Sequence, residues 1–242
     1  ARRESNTAEA QSIAQRAIAE ADLAGTRGAD MQVHLGQEAL SQGNTAEAIR
    51  FFEAALTSSP GLLEPTLALL DLLDSTGNHA RIDELIEAAL QALATGASLL
   101  PDAERARLLR RQASARKELG RLVGTLASLK AAEQLVPGTL ADKLWLGETA
   151  FTQGDMETAY AQLASLQRFT AETAALPPPL TVARLADLLD QAGQAAAELH
   201  KIDEARTLWQ ATIQIVPDHV SATNHYLDLL LTAGQSQDAE QT

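Results

Sequence analysis

Seven of the chain's 19 basic residues fall within 17 positions: Arg105, Arg107, Arg110, Arg111, Arg116, Lys117 and Arg121. Guanidinium groups grip carboxylates through paired hydrogen bonds, so this run could capture an acidic peptide. A solvated helix balancing acidic neighbours would carry the same residues, and the sequence leaves both readings open. Other chemistry is sparse. The five histidines are His34, His79, His200, His219 and His225; none forms a helical His-x-x-x-His pair, and His219 and His225 lie six apart, a poor spacing for one helical face. There is no phosphate-cradling Gly-x-x-x-x-Gly-Lys-Ser/Thr loop and no Gly-x-Ser-x-Gly elbow. The carboxylates follow exposed helical positions, as solvated faces do. With no cysteine, thiol chemistry, thiolate metal sites and disulfides are excluded. An enzyme active site, a metal and a cofactor are not expected.

The spacing of five glycines indicates the elements that must carry these residues. Gly43 to Gly77 and Gly120 to Gly154 are both intervals of 34, while the gaps of 43 and 80 around them exceed one and two such periods by 9 and 12. Their settings are alike: Gly-Asn-Thr-Ala-Glu-Ala, Gly-Asn-His-Ala-Arg-Ile, Gly-Asp-Met-Glu-Thr-Ala and Gly-Gln-Ser-Gln-Asp-Ala. A fixed period of this length signals stacked repeats and shifts the expected function from chemistry towards holding partners. The 242 residues are 45% hydrophobic but only 3% aromatic, which suits closely packed helices with small contact residues. A net charge of −13 argues against a sequence-independent nucleic-acid binder, since phosphate contacts need a basic face. No apolar run approaches the roughly 18 residues of a membrane span. No signal peptide is visible, although the chain opens Ala1-Arg2-Arg3, so a segment upstream could have been removed.

Taking Ala29 as position 1 of a 34-residue unit puts Gly36 at position 8, Gly43 at 15, Ala48 at 20, Phe52 at 24, Ala55 at 27 and Pro60 at 32. Small residues at 8, 20 and 27 let two antiparallel helices approach closely. Glycine at 15 can end the first helix in the left-handed conformation. Asn44 or Thr45 then caps the second helix, and Pro60 stops it. This pattern resembles the tetratricopeptide repeat (TPR). The frame recurs from Leu63, Ala106, Leu140, Ala186 and Val220. Departures are His200 at position 15 of the fifth unit, expected to be the weakest, and Leu70 and Leu227 at position 8, where packing should be less close. The stop proline is missing from units two and four, where Ala94 and Ala171 stand. Their second helices are expected to run on, with the next first helix starting near Asp102 or Thr181.

The predicted fold is all-α: a right-handed TPR solenoid of about six repeats plus a partial N-terminal helix. Residues 1–28 read as the remnant of a preceding repeat, since Asn6-Thr7-Ala8-Glu9-Ala10 matches Asn44-Thr45-Ala46-Glu47-Ala48. Residues 29–96 hold repeats one and two, 97–105 an insertion, 106–173 repeats three and four, 174–185 a Pro-rich insertion, and 186–242 repeat five and a partial sixth. Gln235 to Thr242 reads as the start of a second helix after Gly234. The chain is expected to be a fragment of a longer array, or to be capped by another protein.

The resemblance implies that first helices line a concave groove for peptides, with positions 2, 5, 6, 9, 12 and 13 outward. Partner-binding candidates at such positions are Arg107, Arg110 and Arg111 of unit three, Trp145, Glu148 and Phe151 of unit four, and Asn224 and His225 of unit six. Trp145 could equally be core, whereas Trp209, at the position of Phe52, is packing. The subclass that clamps C-terminal carboxylates with Lys and Asn is not indicated: those positions hold Val33 and Gln37 in unit one, and Asn224 is an isolated match. The expected function is a non-catalytic scaffold for a protein or peptide partner, with an acidic peptide among the candidates. Alternatives are a spacer that self-assembles into homo-oligomers, or the regulatory arm of an enzyme. Ala-rich, cysteine-free arrays of this type are common in bacteria, in cytoplasm or periplasm, and envelope assembly systems often use them.

Overall fold

The computed structural model describes residues 26–94 and 100–240, with side chains from 28 to 94 and from 100 to 232. The remnant helix expected within residues 1–28 therefore lies largely outside the described residues. Among these there is no strand. The order is α1 (Thr26–Ser41), α2 (Thr45–Ser58), α3 (Leu63–Thr76), α4 (His79–Ala94), α5 (Asp102–Glu118), α6 (Leu122–Leu135), α7 (Leu140–Thr152), α8 (Met156–Leu163), a 3₁₀ helix (Ala164–Ala175), α9 (Val182–Glu198), α10 (Ile202–Ile215) and α11 (Val220–Glu240). The chain divides into two compact units, Ala1–Arg121 and Leu122–Thr242. That boundary cuts the third repeat between its two helices instead of falling at either insertion. Within the first unit α5 is tied by ion pairs to α3 and α4, which is where sequence spacing alone is blind.

One turn is made five times. Gly43, Gly77, Gly120, Gly154 and His200 have φ of 79°, 67°, 70°, 76° and 60°. In each, the turn residue's N–H donates to the carbonyl three residues back and the next N–H to the carbonyl five back, as at Gly43→Leu40 (2.9 Å) and Asn44→Ala39 (2.8 Å). This satisfies carbonyls that a helix end would leave orphaned. His200 makes the same pair of bonds, to Ala197 (3.0 Å) and from Lys201 to Ala196 (2.9 Å). The fifth repeat is thus an intact helix pair, with Ala205 and Trp209 at 0% and 3% exposure; the departure is stored as backbone strain, not as lost packing. His200→Gly is expected to stabilise the protein by about 0.5–1 kcal/mol, the left-handed penalty less glycine's extra unfolded-state entropy. A urea midpoint unchanged or lowered by that substitution would show the turn to be unstrained.

The two helices of a repeat meet at position 8. A Cβ built on Gly36 would stand 2.5 Å from Phe52 Cε1, one on Gly147 2.5 Å from Leu163 Cδ2, and one on Gly193 2.5 Å from Trp209 Nε1. Each partner lies 16 residues on, at position 24, so the missing side chain is the notch that a large one fills. Around Phe52 in the first unit gather Leu69, Leu70, Ile82 and Ile86, all at 2% exposure or less. Leu144, Leu163, Leu185, Leu188, Leu189 and Trp209 form the core of the second.

The irregular stretches follow local chemistry. α5 starts at Asp102, four residues before the frame's Ala106, and α9 starts at Val182 behind Thr181, whose hydroxyl accepts from Arg184 N–H (3.2 Å). Asn44 is the N-cap of α2 but makes no side-chain cap bond. After α8 the chain does not run on as α-helix: it tightens into the 3₁₀ helix, broken at Glu172 (φ −132°, ψ 58°), with Leu166 buried. α11 passes straight through Gly234, where a turn was expected. A lone glycine costs a helix only about 1 kcal/mol, and among the described residues no second helix packs back to reward the turn.

Candidate partner-binding face

The basic run sits on α5 and just beyond it, and most of it is already engaged. Arg105 pairs with Asp102 (3.3 Å) on its own helix. Arg111, a candidate partner contact, bridges Asp71 (2.9 Å) and Asp74 (2.5 Å) of α3. Arg116 reaches Asp83 (2.6 Å) and Glu87 (3.2 Å) of α4, and Arg121 reaches Asp83 as well (2.9 Å). The Asp83 side chain is only 5% exposed, so its charge is held by two guanidinium groups in place of water. Arg107 is exposed and Arg110 half-buried on the same helix. Arg111, Arg116 and Arg121 thus balance acidic side chains of the second repeat.

The second unit repeats the theme. Glu148 on α7, also predicted to contact a guest, accepts from Arg184 Nη2 with both carboxylate oxygens (3.3 and 3.1 Å). His225 Nδ1 lies 2.9 Å from Asp190 Oδ1, and its ring stands 5.5 Å from that of Trp209. Asp190, 4% exposed, also accepts from Ser221 Oγ (2.6 Å) and Gln194 Nε2 (3.2 Å). His219 Nε2 pairs with Asp187 (3.1 Å). Trp145 is half-buried on α7, Phe151 packs partly against Ala150, Ala159 and Ala195, and Asn224 is exposed. Trp209 is core, as its position predicts.

Most of these contacts join first helices to one another. Gln37 of α1 donates to Glu64 of α3, Asp71 and Asp74 of α3 hold Arg111 of α5, Glu148 of α7 holds Arg184 of α9, and Asp187 and Asp190 of α9 hold His219 and His225 at the start of α11. Arg111, Glu148 and His225, candidate partner contacts, each also tie one helix to another. The pairs span 27 to 40 residues of sequence, so no local pattern reveals them. The buried acid Asp83 was missed, and Asp190, at outward position 5 of its repeat, is buried as well. For Asp83 the signal was an aspartate beside the inward Ile82.

Second helices are joined too. Lys130 Nζ meets Asp155 Oδ2 at 2.8 Å, and Asp155 caps α8 by accepting from Thr158 N–H (3.1 Å). The hydrogen bond from Lys130, with those from Thr158, holds the Asp155 carboxyl below the usual aspartate range against the opposing effect of burial. A cleft of about 520 Å³ lies between α1 and α3, bordered by Asp30, Val33, His34, Gln37 and Leu62 to Pro65. Among the described residues no three His, Asp or Glu side chains are placed to hold a metal ion, and no helix is long and apolar enough to cross a membrane.

Comparison with protein-family models and with curated proteins finds no match. Solved structures do match. One is YrrB, described as a TPR protein with an unusual peptide-binding site: 17% identity over 86% of this chain and 97% of that one, TM-score 0.50. Another is MamA from Desulfovibrio magneticus RS-1, at 12% identity over 79% of this chain and 96% of that one, TM-score 0.44. With the repeated left-handed turns and the notches at position 8, the likeness to YrrB establishes the architecture: this chain has the all-α tetratricopeptide repeat fold.

Proposed function

We propose that the chain is a non-catalytic protein-interaction scaffold, and that an acidic segment of a partner docks along α5 in the first unit. The observation that supports this is the division of labour on α5. Arg111 and Arg116 are spent on α3 and α4, while Arg107 and Ser114 are exposed to water. Elsewhere the pairs Glu148–Arg184, Asp187–His219 and Asp190–His225 join helix to helix, which fits holding better than catalysis. Trp145 and Phe151 on α7 offer a separate half-buried aromatic contact within the second unit.

The test is fluorescence anisotropy with a short labelled Asp/Glu-rich peptide. Arg107→Glu/Arg110→Glu is expected to weaken binding about tenfold or more, a change of about 1.4 kcal/mol, and binding should also weaken as salt rises. Arg111 is left intact, because its removal would strand Asp71 and Asp74. Affinity unchanged by the double substitution would sink the α5 assignment.

A further inference from the structure

The first half of α11 repeats α3. Thr66 and Leu70-Asp71-Leu72-Leu73 recur as Thr223 and Leu227-Asp228-Leu229-Leu230 at the same positions of the frame, and Leu63 is matched by Val220. The likeness extends to local bonding: Thr66 Oγ1 donates to Leu62 O (2.7 Å) and Thr223 Oγ1 to His219 O (3.0 Å), each four residues back. Their surroundings differ. Thr66, Leu70 and Leu73 are 1%, 0% and 7% exposed, within a core to which α4 contributes Ile82, Leu85 and Ile86. Leu227, Leu230 and Val220 are 50%, 41% and 71% exposed. This face continues an interface that α11 already makes, since Ala222, Tyr226 and Leu229 join the second unit's core. Several large apolar side chains on one helix face mark an interaction site in a way that a single exposed leucine does not.

We propose that this face of α11 binds an antiparallel α-helix of a partner protein that has the chemistry of α4: aliphatic residues spaced as Ile82, Leu85 and Ile86, then alanine as at 89. The side chain at position 8 decides which helix fits. Where position 8 is glycine, the second helix brings Phe52, Leu163 or Trp209 into the notch. Where it is leucine, as at Leu70, the second helix brings Ile86. Leu227 fills its own notch, so a branched aliphatic side chain packs beside it and a tryptophan has no room. The site is separate from the α5 patch, and loss of acidic-peptide binding leaves it untouched.

The test uses the full chain and a labelled peptide of the α4 sequence, His79–Ala94. Saturable binding is expected, weakened at least tenfold by Leu227→Glu/Leu230→Glu. Both side chains are already about half in water, so the variant folds, which circular dichroism checks. A peptide carrying Ile86→Trp is expected to bind at least tenfold more weakly. The proposal is overturned if the α4 peptide fails to saturate by about 1 mM, if either change leaves affinity unaltered, or if light scattering shows a dimer, abolished by the same variant, that excludes the peptide. That last result would assign the face to a second copy.

Discussion

Phe52→Ala is expected to lower the unfolding free energy by about 3–5 kcal/mol, the range for emptying a buried aromatic site, read as a shift in urea midpoint. Phe52 is 0% exposed and its ring occupies the space that a Cβ on Gly36 would need. The site therefore loses the transfer term and also keeps a cavity, because the surrounding helices α1 and α2 are held apart by other contacts. A second arm separates the notch from simple burial. Phe52→Ile alone leaves the notch half-empty, whereas G36L with F52I rebuilds the leucine–isoleucine pairing of Leu70 and Ile86. The double variant should be the more stable by about 1 kcal/mol, since volume-conserving swaps cost least and leucine favours helix over glycine. A double variant less stable than Phe52→Ile would end the reciprocity argument.

Asp83→Ala is expected to cost about 3 kcal/mol, the low end of the cost of breaking a buried pair. Removing the carboxylate takes a buried partner from Arg116, whose side chain is 18% exposed, and from Arg121. The loss stays near the low end because Arg121, 59% exposed, rehydrates readily. Glu87→Ala serves as the contrast: that carboxylate is 55% exposed, and its loss should fall within about 1 kcal/mol. Raising the salt concentration should shrink the smaller effect and spare the larger. Equal costs for the two substitutions would mean that burial of Asp83 contributes nothing.

How much of this was legible beforehand differs by level. The frame from Ala29 located the turn at Gly43 and the notch between Gly36 and Phe52, because both depend on residues at most 16 apart in one helix pair. His200 was read as a weak point because glycine is the usual left-handed residue; the sequence does not show that the next helix, anchored by Ala205 and Trp209, holds the histidine in that conformation. Pro60 marked its helix end correctly, but a missing proline at Ala171 did not foretell a 3₁₀ segment, since that choice depends on how Leu166 and Phe169 reach the core. The site was the least legible part. Arg111, Glu148 and His225 occupy outward frame positions, and outwardness does not distinguish a side chain waiting for a guest from one reaching to the next repeat.

The polar rungs between first helices have a mechanical consequence. Within each unit the first helices are joined by partly exposed, charged contacts such as Arg111 with Asp71 and Glu148 with Arg184, while the join between paired helices is apolar and buried. Salt screens the former and scarcely touches the latter. Each unit thus has a stiff spine and a softer rim, and ionic strength sets the compliance of the rim without loosening the spine.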